Sequence, residues 1–211
     1  MLIDEFSKLR PFAYHTTAQP NLDRIRRTRT IESTRRIFDL AGNAMDPRIH
    51  ERRREALQLS IDGMPVSIRD QRPLHVGAIV FEAGWELSRF VEHLNGFAFF
   101  WPGAEDRPIP YGCRHFARYA ATGEALAVVR VPTHALFEQN RERQILFSHV
   151  NSGAARTQGG KKAPRGGSTF LSAEVFSRSP GQVKEIVVED YASLPPSAQF
   201  AENPAGPWRT L

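Results

Sequence analysis

Short strand patterns and short helix patterns alternate irregularly along this 211-residue chain, without the strand–helix–strand repeat of a doubly wound parallel fold. Residues 12–15 show the two-residue alternation of a half-buried strand, whereas residues 85–94 show the three- and four-residue apolar spacing of a helix. No internal repeat is visible. The pattern therefore predicts one α+β domain over residues 1–211.

Turn and capping residues divide the chain further. The spacing predicts helices that begin near Pro20, run from Ser33 to Ala41, and extend from Asp46-Pro47 through the sequence RIHERRREALQL. Gly63 is read as a turn. Later helices are expected over 85–94, 115–121 and 133–140, and strands over 66–68, 97–101, 125–131, 145–150 and 183–188. Residues 10–192 are expected to form the core, and 193–211 a loosely attached tail.

Basic residues are concentrated in two stretches. The chain has 28 Lys and Arg against 23 Asp and Glu, a net charge of +5. Ten arginines and six acids lie in residues 23–55, and six basic residues and one acid lie in 141–165. Such stretches favour a polyanion such as nucleic acid or a phosphate-bearing ligand. The alternative is that the arginines cover solvated helix faces, although 151–168 is glycine-rich and lacks helical spacing.

Several classes of protein are excluded by composition and motif. The apolar runs are shorter than a membrane span, and residues 1–12 lack the apolar region of a signal peptide, which together predict a cytoplasmic protein without membrane contact. A single cysteine, Cys113, excludes an internal disulfide and a cysteine-rich zinc site. The segment GGKKAPRGGST does not have the spacing of a phosphate-binding P-loop, and neither a G-x-G-x-x-G nor a G-x-S-x-G motif is present. The seven histidines show no H-x-x-x-H pair, so no metal site is expected.

The opening Tyr14-His15-Thr16-Thr17, followed by Asn21-Leu22, resembles the start of the ADP-ribosyltransferase fold. It is most similar to the DNA-targeting (DarT-like) ADP-ribosyltransferase toxins. Their later aromatic strand resembles residues 97–102, and their last strand, which carries a catalytic glutamate, resembles Lys184-Glu185-Ile186. The resemblance implies a split, mostly antiparallel sheet with flanking helices. It also implies NAD⁺ as co-substrate, no metal, and an antitoxin or immunity protein as partner.

The resemblance implies a set of site residues. Glu185 would stabilise the oxocarbenium-like transition state of nicotinamide–ribose cleavage. Arg69 or Arg72 is the candidate for the arginine of the toxin site, and Arg69 is the one assigned to catalysis. Contacts to NAD⁺ are expected from His15, Thr16, Thr17, Arg72, Phe100 and Tyr111. Contacts to nucleic acid are expected from Arg156, Lys161, Lys162 and Arg165.

Each assignment has a structural alternative. His15 can be a strand histidine that bonds a backbone carbonyl, and the aromatic run 97–101 can belong to the core. Arg69 and Arg72 can form salt bridges with Asp70 or Glu82. Glu174 and Glu189 are rival carboxylates.

A second resemblance covers most of the chain. The blocks IRDQRPL (68–74), FFWPG (99–103), NSGAAR (151–156) and PRGGSTF (164–170) are similar to those of an uncharacterised bacterial family. This resemblance brings no activity with it. Three functions therefore stay open: an NAD⁺-dependent mono-ADP-ribosyltransferase of toxin or phage-defence type that modifies nucleic acid, a catalytically silent nucleic-acid-binding module on the same fold, and an NAD⁺ glycohydrolase.

Overall fold

A computed structural model of the chain describes residues 1–155 and 162–211. The described residues form an α+β fold around a seven-stranded sheet, which confirms the predicted class. Among them, no helix combines the length and the apolarity needed to cross a bilayer. The helices are α1 (Ile3–Leu9), α2 (Leu22–Thr28), α3 (Thr34–Leu40), α4 (Leu87–Asn95), α5 (Pro110–Ala120) and α6 (Thr133–Gln139).

The strands are short, and most belong to the large sheet. They are β1 (Phe12–Ala18), β2 (Thr30–Glu32), β3 (Leu57–Ile61), β4 (Met64–Ile68), β5 (Ile79–Phe81), β6 (Phe97–Gly103), β7 (Leu126–Pro132), β8 (Ile145–Ser148), β9 (Ala163–Arg165), β10 (Glu185–Glu189), β11 (Tyr191–Ser193), β12 (Gln199–Ala201) and β13 (Arg209–Thr210). The sheet order is β13-β12-β7-β1-β6-β10-β8, and all of its pairs are antiparallel. The only parallel pair among the described strands is β5 with β9.

Strand β6 changes partner along its length, and this divides the sheet into two halves. Its last residues, from Trp101 onward, pair with β1, whereas Phe97–Phe100 pair with β10. Beyond Tyr14, β1 continues alongside β7 alone as far as Ala18. The end of β1 and the start of β10 therefore diverge on opposite sides of β6.

Alternation along the strands gives the sheet two buried faces. On one face, Phe100 and Ile186 pack with Val129 in the largest apolar cluster. On the other face, Phe97 and Val187 pack against one side of α4. Two-sided burial explains why these strands read as nearly continuous apolar runs in the sequence.

Local signals fix several elements. The Ser33 Oγ accepts a hydrogen bond from the Arg36 N–H at 3.1 Å, so the predicted capped helix is confirmed as α3. The predicted turn at Gly63 is the tip of the β3–β4 hairpin. There Asp62 and Gly63 have φ of 52° and 75°, which matches the two-residue turn that favours Asp-Gly.

The helix predicted from Asp46-Pro47 onward is wrong beyond its first turn. Asp46 caps a 3₁₀ turn at Pro47–Ile49, and strand β3 begins at Leu57. The Arg53 guanidinium is buried and donates to the Asn95 Oδ1 at 3.0 Å, and its backbone N–H is bonded to the Gln71 side chain. These tertiary hydrogen bonds outweigh the helix propensity of an arginine-rich segment.

The prediction of a loosely attached tail also requires correction. Strand β12 pairs with β7 and adds to the main sheet, where Phe200 lies opposite Val129. Phe200 is 6% exposed and belongs to the main apolar cluster. The tail was misjudged because its strand is only three residues long and is flanked by prolines, so it carries little periodicity of its own.

We therefore expect Phe200→Leu to lower the free energy of unfolding by roughly 1–2 kcal/mol. The reasons are lost core packing and the loss of the ring that stacks on Arg26 and Arg209. Urea denaturation measures the change, with exposed Thr210→Ala as the matched control. Equal stability of the Phe200 and Thr210 variants would show that the tail is detached.

Candidate functional site

A cavity of about 260 Å³ lies where the two halves of the sheet separate. Its volume is near the lower end of the roughly 300–1,000 Å³ typical of small-molecule sites. It lies between the C-terminal part of β1 and the start of β10, with β6 behind. Its remaining walls come from α2, β2 and α3, from the end of α4, from β4 and the segment after it, from α5 and from residues 151–154.

Glu185, the first residue of β10, lines this cavity and is 3% exposed. The Ser152 backbone N–H donates to both carboxylate oxygens, at 3.2 Å to Oε1 and 3.1 Å to Oε2. Burial raises the pKa of Glu185 to about 7, although hydrogen bonding from Ser152 and the positive charge of Arg165 act in the opposite direction. The rival carboxylates Glu174 and Glu189 are exposed. Glu185 is thus the one of the three that can change protonation state inside the cavity at neutral pH.

His15 lies at the divergence of β1 from β6. Its Nδ1 is 2.8 Å from the Phe99 carbonyl oxygen, and because that oxygen only accepts, Nδ1 carries the proton. Burial lowers the pKa of His15 to about 4 despite this hydrogen bond, and the charge of Arg69 acts in the same direction as burial. The ring is therefore neutral at pH 7, with Nε2 as a hydrogen-bond acceptor. The hydrogen bond to a backbone carbonyl, which was the structural alternative for this histidine, is therefore present, and it fixes the orientation of the ring.

Arg69 follows β4 and lines the same cavity. Its Nη2 donates to the Thr16 carbonyl, and its guanidinium carbon lies 4.9 Å from the centroid of the Tyr119 ring. Nη1 is buried and has no hydrogen-bond partner among the described residues. A fixed guanidinium with a spare donor fits an anionic or carbonyl oxygen of a ligand. Of the salt bridges considered for this region, Asp70 forms one with Arg72 at 2.7 Å.

The predicted threonines are also at the cavity. Thr16 and Thr17 line it, and the Thr17 Oγ1 accepts a hydrogen bond from the Asn21 Nδ2 at 3.0 Å. The Asn21 side chain also bonds the backbone N–H and carbonyl of Ser67, at 2.8 and 2.9 Å. Asn21 therefore connects β4 to β1 through side-chain hydrogen bonds. Because Arg69 directly follows β4, these bonds also help to position Arg69.

The structure brings different aromatic residues to the cavity from those predicted. Phe100 is 1% exposed on the opposite face of the sheet, and Tyr111 is exposed on α5; neither lines the cavity. The aromatic lining comes instead from Phe97, Phe99, Trp101, His115 and Tyr119. His115 and Tyr119 are four residues apart on the helix, with ring centroids 5.1 Å apart. That i, i+4 spacing was the sequence signal that was missed.

The basic residues predicted to contact nucleic acid separate into three groups. Arg156 and Lys161 lie outside the described residues. Lys162 is exposed. Arg165, by contrast, is 2% exposed and lies close enough to Glu185 to influence its ionisation, so it is not a surface phosphate contact. Arg72 is exposed and does not line the cavity, which removes it from the predicted NAD⁺ contacts.

The blocks noted in the sequence converge on this cavity. Residues 68–71, Phe99, Trp101 and residues 151–154 all line it, and Arg165 lies behind Glu185. No cluster of three or more metal-ligating side chains occurs within the described ranges.

A protein-family model described as "Family of unknown function (DUF7002)" matches residues 11–198. No curated protein and no solved structure matched the chain.

Proposed function

Because the chain belongs to the DUF7002 family of unknown function, the chemistry of the cavity has to suggest the activity, and we propose NAD⁺-dependent mono-ADP-ribosyl transfer to nucleic acid. The observation that carries the proposal is the position of Glu185. A buried carboxylate shares one cavity with a neutral histidine acceptor and an arginine that has a spare donor. A buried carboxylate is costly to a fold, and such groups concentrate at functional sites.

The chemistry gives Glu185 its role. Cleavage of the nicotinamide–ribose bond leaves its electron pair on the nicotinamide nitrogen and positive charge on the ribose. The ionised Glu185 carboxylate accepts a hydrogen bond from the ribose 2′-hydroxyl and stabilises that charge. The acceptor oxygen or nitrogen then bonds to C1′ of the ribose. Its proton passes to Glu185 or to solvent, so the products are neutral nicotinamide and the ADP-ribosylated acceptor.

The other cavity residues hold the substrate. The His15 Nε2 accepts a hydrogen bond from a hydroxyl of the adenosine ribose. The Arg69 Nη1 donates to a diphosphate oxygen, and the aromatic faces of Tyr119 and Trp101 pack on a planar ring. The cavity, at about 260 Å³, is smaller than the whole dinucleotide, so part of NAD⁺ extends out of it.

Nucleic acid is the proposed acceptor because of charge. The protein has a net charge of +5, which favours a polyanionic acceptor. Lys162 is exposed, and it is three residues before Arg165 in the chain, whose charge acts on Glu185. A protein that modifies nucleic acid in its own cell resembles a toxin or a phage-defence effector, and either requires an antagonist protein.

The experiment follows the label of adenine-labelled NAD⁺ incubated with wild type or Glu185→Gln, with and without mixed DNA and RNA. Transfer to nucleic acid by wild type alone is the expected result. Free ADP-ribose formed without acceptor would identify a glycohydrolase instead. Absence of both products, with nucleic acid still bound, would identify the catalytically silent module and contradict the proposal.

A further inference from the structure

One peptide group lies between Arg165 and Glu185. The Arg165 Nη2 donates to the Asn151 carbonyl at 2.9 Å. The N–H of that same peptide, carried by Ser152, donates to both oxygens of Glu185. The peptide dipole is therefore aligned between a cation and an anion, with its carbonyl toward the guanidinium and its N–H toward the carboxylate.

We propose that Arg165 is a positioning residue for Glu185 that acts through the peptide joining Asn151 to Ser152. The proposal rests on the proposed function for its catalytic consequence, but the arrangement itself does not depend on the substrate. Arg165 orients the peptide, and the peptide N–H holds both carboxylate oxygens at the start of β10. Hydrogen bonds in series within a low-dielectric interior strengthen one another.

The placement of Arg165 supports this role. Its side chain is among the largest that are fully buried, and its Nη1 donates to its own neighbour, the Pro164 carbonyl, at 2.9 Å. Its backbone is fixed by the parallel pairing of β9 with β5, opposite Phe81. Burial lowers the pKa of the Arg165 guanidinium, and the nearby charge of Glu185 offsets part of this desolvation.

The other charged and titratable groups in this region are His149 and several side chains of the cavity lining. His149, at the end of β8, has its pKa lowered by burial and by the charges of Arg178 and Arg165. The rest of the cavity lining carries further titratable side chains, those of His15, Arg24, Glu32, Arg53, Arg69, Asp70, His115 and Tyr119. Arg24 is paired with Glu32, and Asp70 is paired with Arg72. Burial keeps both cavity histidines neutral, and Arg69 lies with Tyr119. Arg165 is the charge that acts on the ionisation of Glu185.

The test is a titration of the Glu185 carboxyl by carbon-13 NMR in glutamate-labelled protein, with the signal assigned by its loss in Glu185→Gln. Arg165→Met, which removes the charge but keeps much of the volume, is expected to raise the midpoint by about one pH unit. Arg165→Lys, which keeps the charge, is expected to restore part of the shift. An unchanged midpoint in folded Arg165→Met would overturn the proposal.

A second pair of variants tests the peptide. Ser152→Pro removes the N–H at the first residue of a 3₁₀ turn, where proline is tolerated, and the extended Asn151 before it suits proline. Ser152→Ala keeps the backbone N–H and measures how much of the effect on the Glu185 midpoint comes from the Ser152 hydroxyl. We expect Ser152→Pro to raise the midpoint more than Ser152→Ala. Combining Ser152→Pro with Arg165→Met should shift it by less than the sum of the single changes. Full additivity would show that Arg165 does not act through the peptide.

The catalytic consequence has its own signature. With a midpoint one unit higher, turnover of NAD⁺ by Arg165→Met should fall about five-fold at pH 7 and recover above pH 9. A loss that persists at high pH would mean that Arg165 supports only the fold. If wild type does not turn over NAD⁺, the proposed function fails, whereas the NMR titration still decides the role of Arg165.

Discussion

Glu185→Gln should unfold at a higher urea concentration than wild type at pH 8.5, with a gain in the free energy of unfolding of roughly 3 kcal/mol. The folded-state pKa of Glu185 is about 7, against an ordinary value of 4.5. For a carboxyl group whose pKa is raised on folding, the protonated form is the one that the fold favours. Its contribution to stability is complete below pH 4.5 and is lost as pH rises through 7. Glutamine keeps the shape and the acceptor for the Ser152 N–H but never ionises.

The pH dependence separates this effect from packing. Urea denaturation of both proteins at pH 4.5 and pH 8.5 should give a small difference at the lower pH and the full difference at the higher one. The buried histidines also titrate in this range, but they are present in both proteins and cancel in the comparison. Glu189→Gln, an exposed change on the same strand, is the matched control. A Glu185→Gln variant that is less stable than wild type at pH 8.5 would mean that the carboxylate stabilises the fold. The burial of Glu185 would then no longer support a catalytic role.

Arg69→Lys is expected to lower kcat/KM for NAD⁺ by roughly 100-fold. The guanidinium lies on the Tyr119 ring and donates to the Thr16 carbonyl with one nitrogen, and its other nitrogen, Nη1, has no partner among the described residues. A lysine ammonium keeps the charge but cannot hold this forked arrangement. Steady-state kinetics at pH 8, where Glu185 is mostly ionised, measure the loss without interference from the carboxyl titration.

Arg72→Lys provides the comparison for that measurement. Arg72 is three residues from Arg69, but it is exposed and does not line the cavity, although it bonds the carboxylate of the lining residue Asp70 at 2.7 Å. Its kcat/KM should stay within about two-fold of wild type, because Arg72 does not line the cavity and lysine keeps a positive charge beside Asp70. Equal losses in the two variants would indicate a general effect of positive charge on the approach of NAD⁺, and would remove Arg69 from the site.

The sequence predicted the parts of the site that lie in local motifs. Residues 12–15 read as a strand and Asn21 as the start of a helix, and the structure places His15, Thr16 and Thr17 at the cavity. Glu185 was chosen over Glu174 and Glu189 by resemblance, and only its burial distinguishes it from them. Burial depends on the register of β10, and a shift of one residue would move Glu185 to the other face.

Other parts depend on contacts that no local pattern contains. In the run Phe97–Trp101 every residue is apolar, so alternation does not tell which rings face the cavity. From the sequence, Phe100 was therefore assigned to the site, whereas the structure places Phe99 and Trp101 in the cavity lining. Arg165 sits in a glycine-rich basic stretch that reads as surface. Its burial is set by the pairing of β9 with β5, which lies about eighty residues earlier in the chain. The arginines of residues 48–54 favour a helix locally, but Arg53 bonds Asn95 across the fold.

The crystal structure of Glu185→Gln grown with NAD⁺ is the most direct test of the central claim, because the variant is expected to bind the dinucleotide without cleaving it. We expect the nicotinamide ribose in the cavity at the divergence of β1 and β10. Its 2′-hydroxyl should lie within hydrogen-bonding distance of residue 185, and the adenosine ribose should lie against the His15 Nε2. NAD⁺ bound elsewhere, or no binding at millimolar concentration by calorimetry, would contradict the assignment of this cavity to NAD⁺.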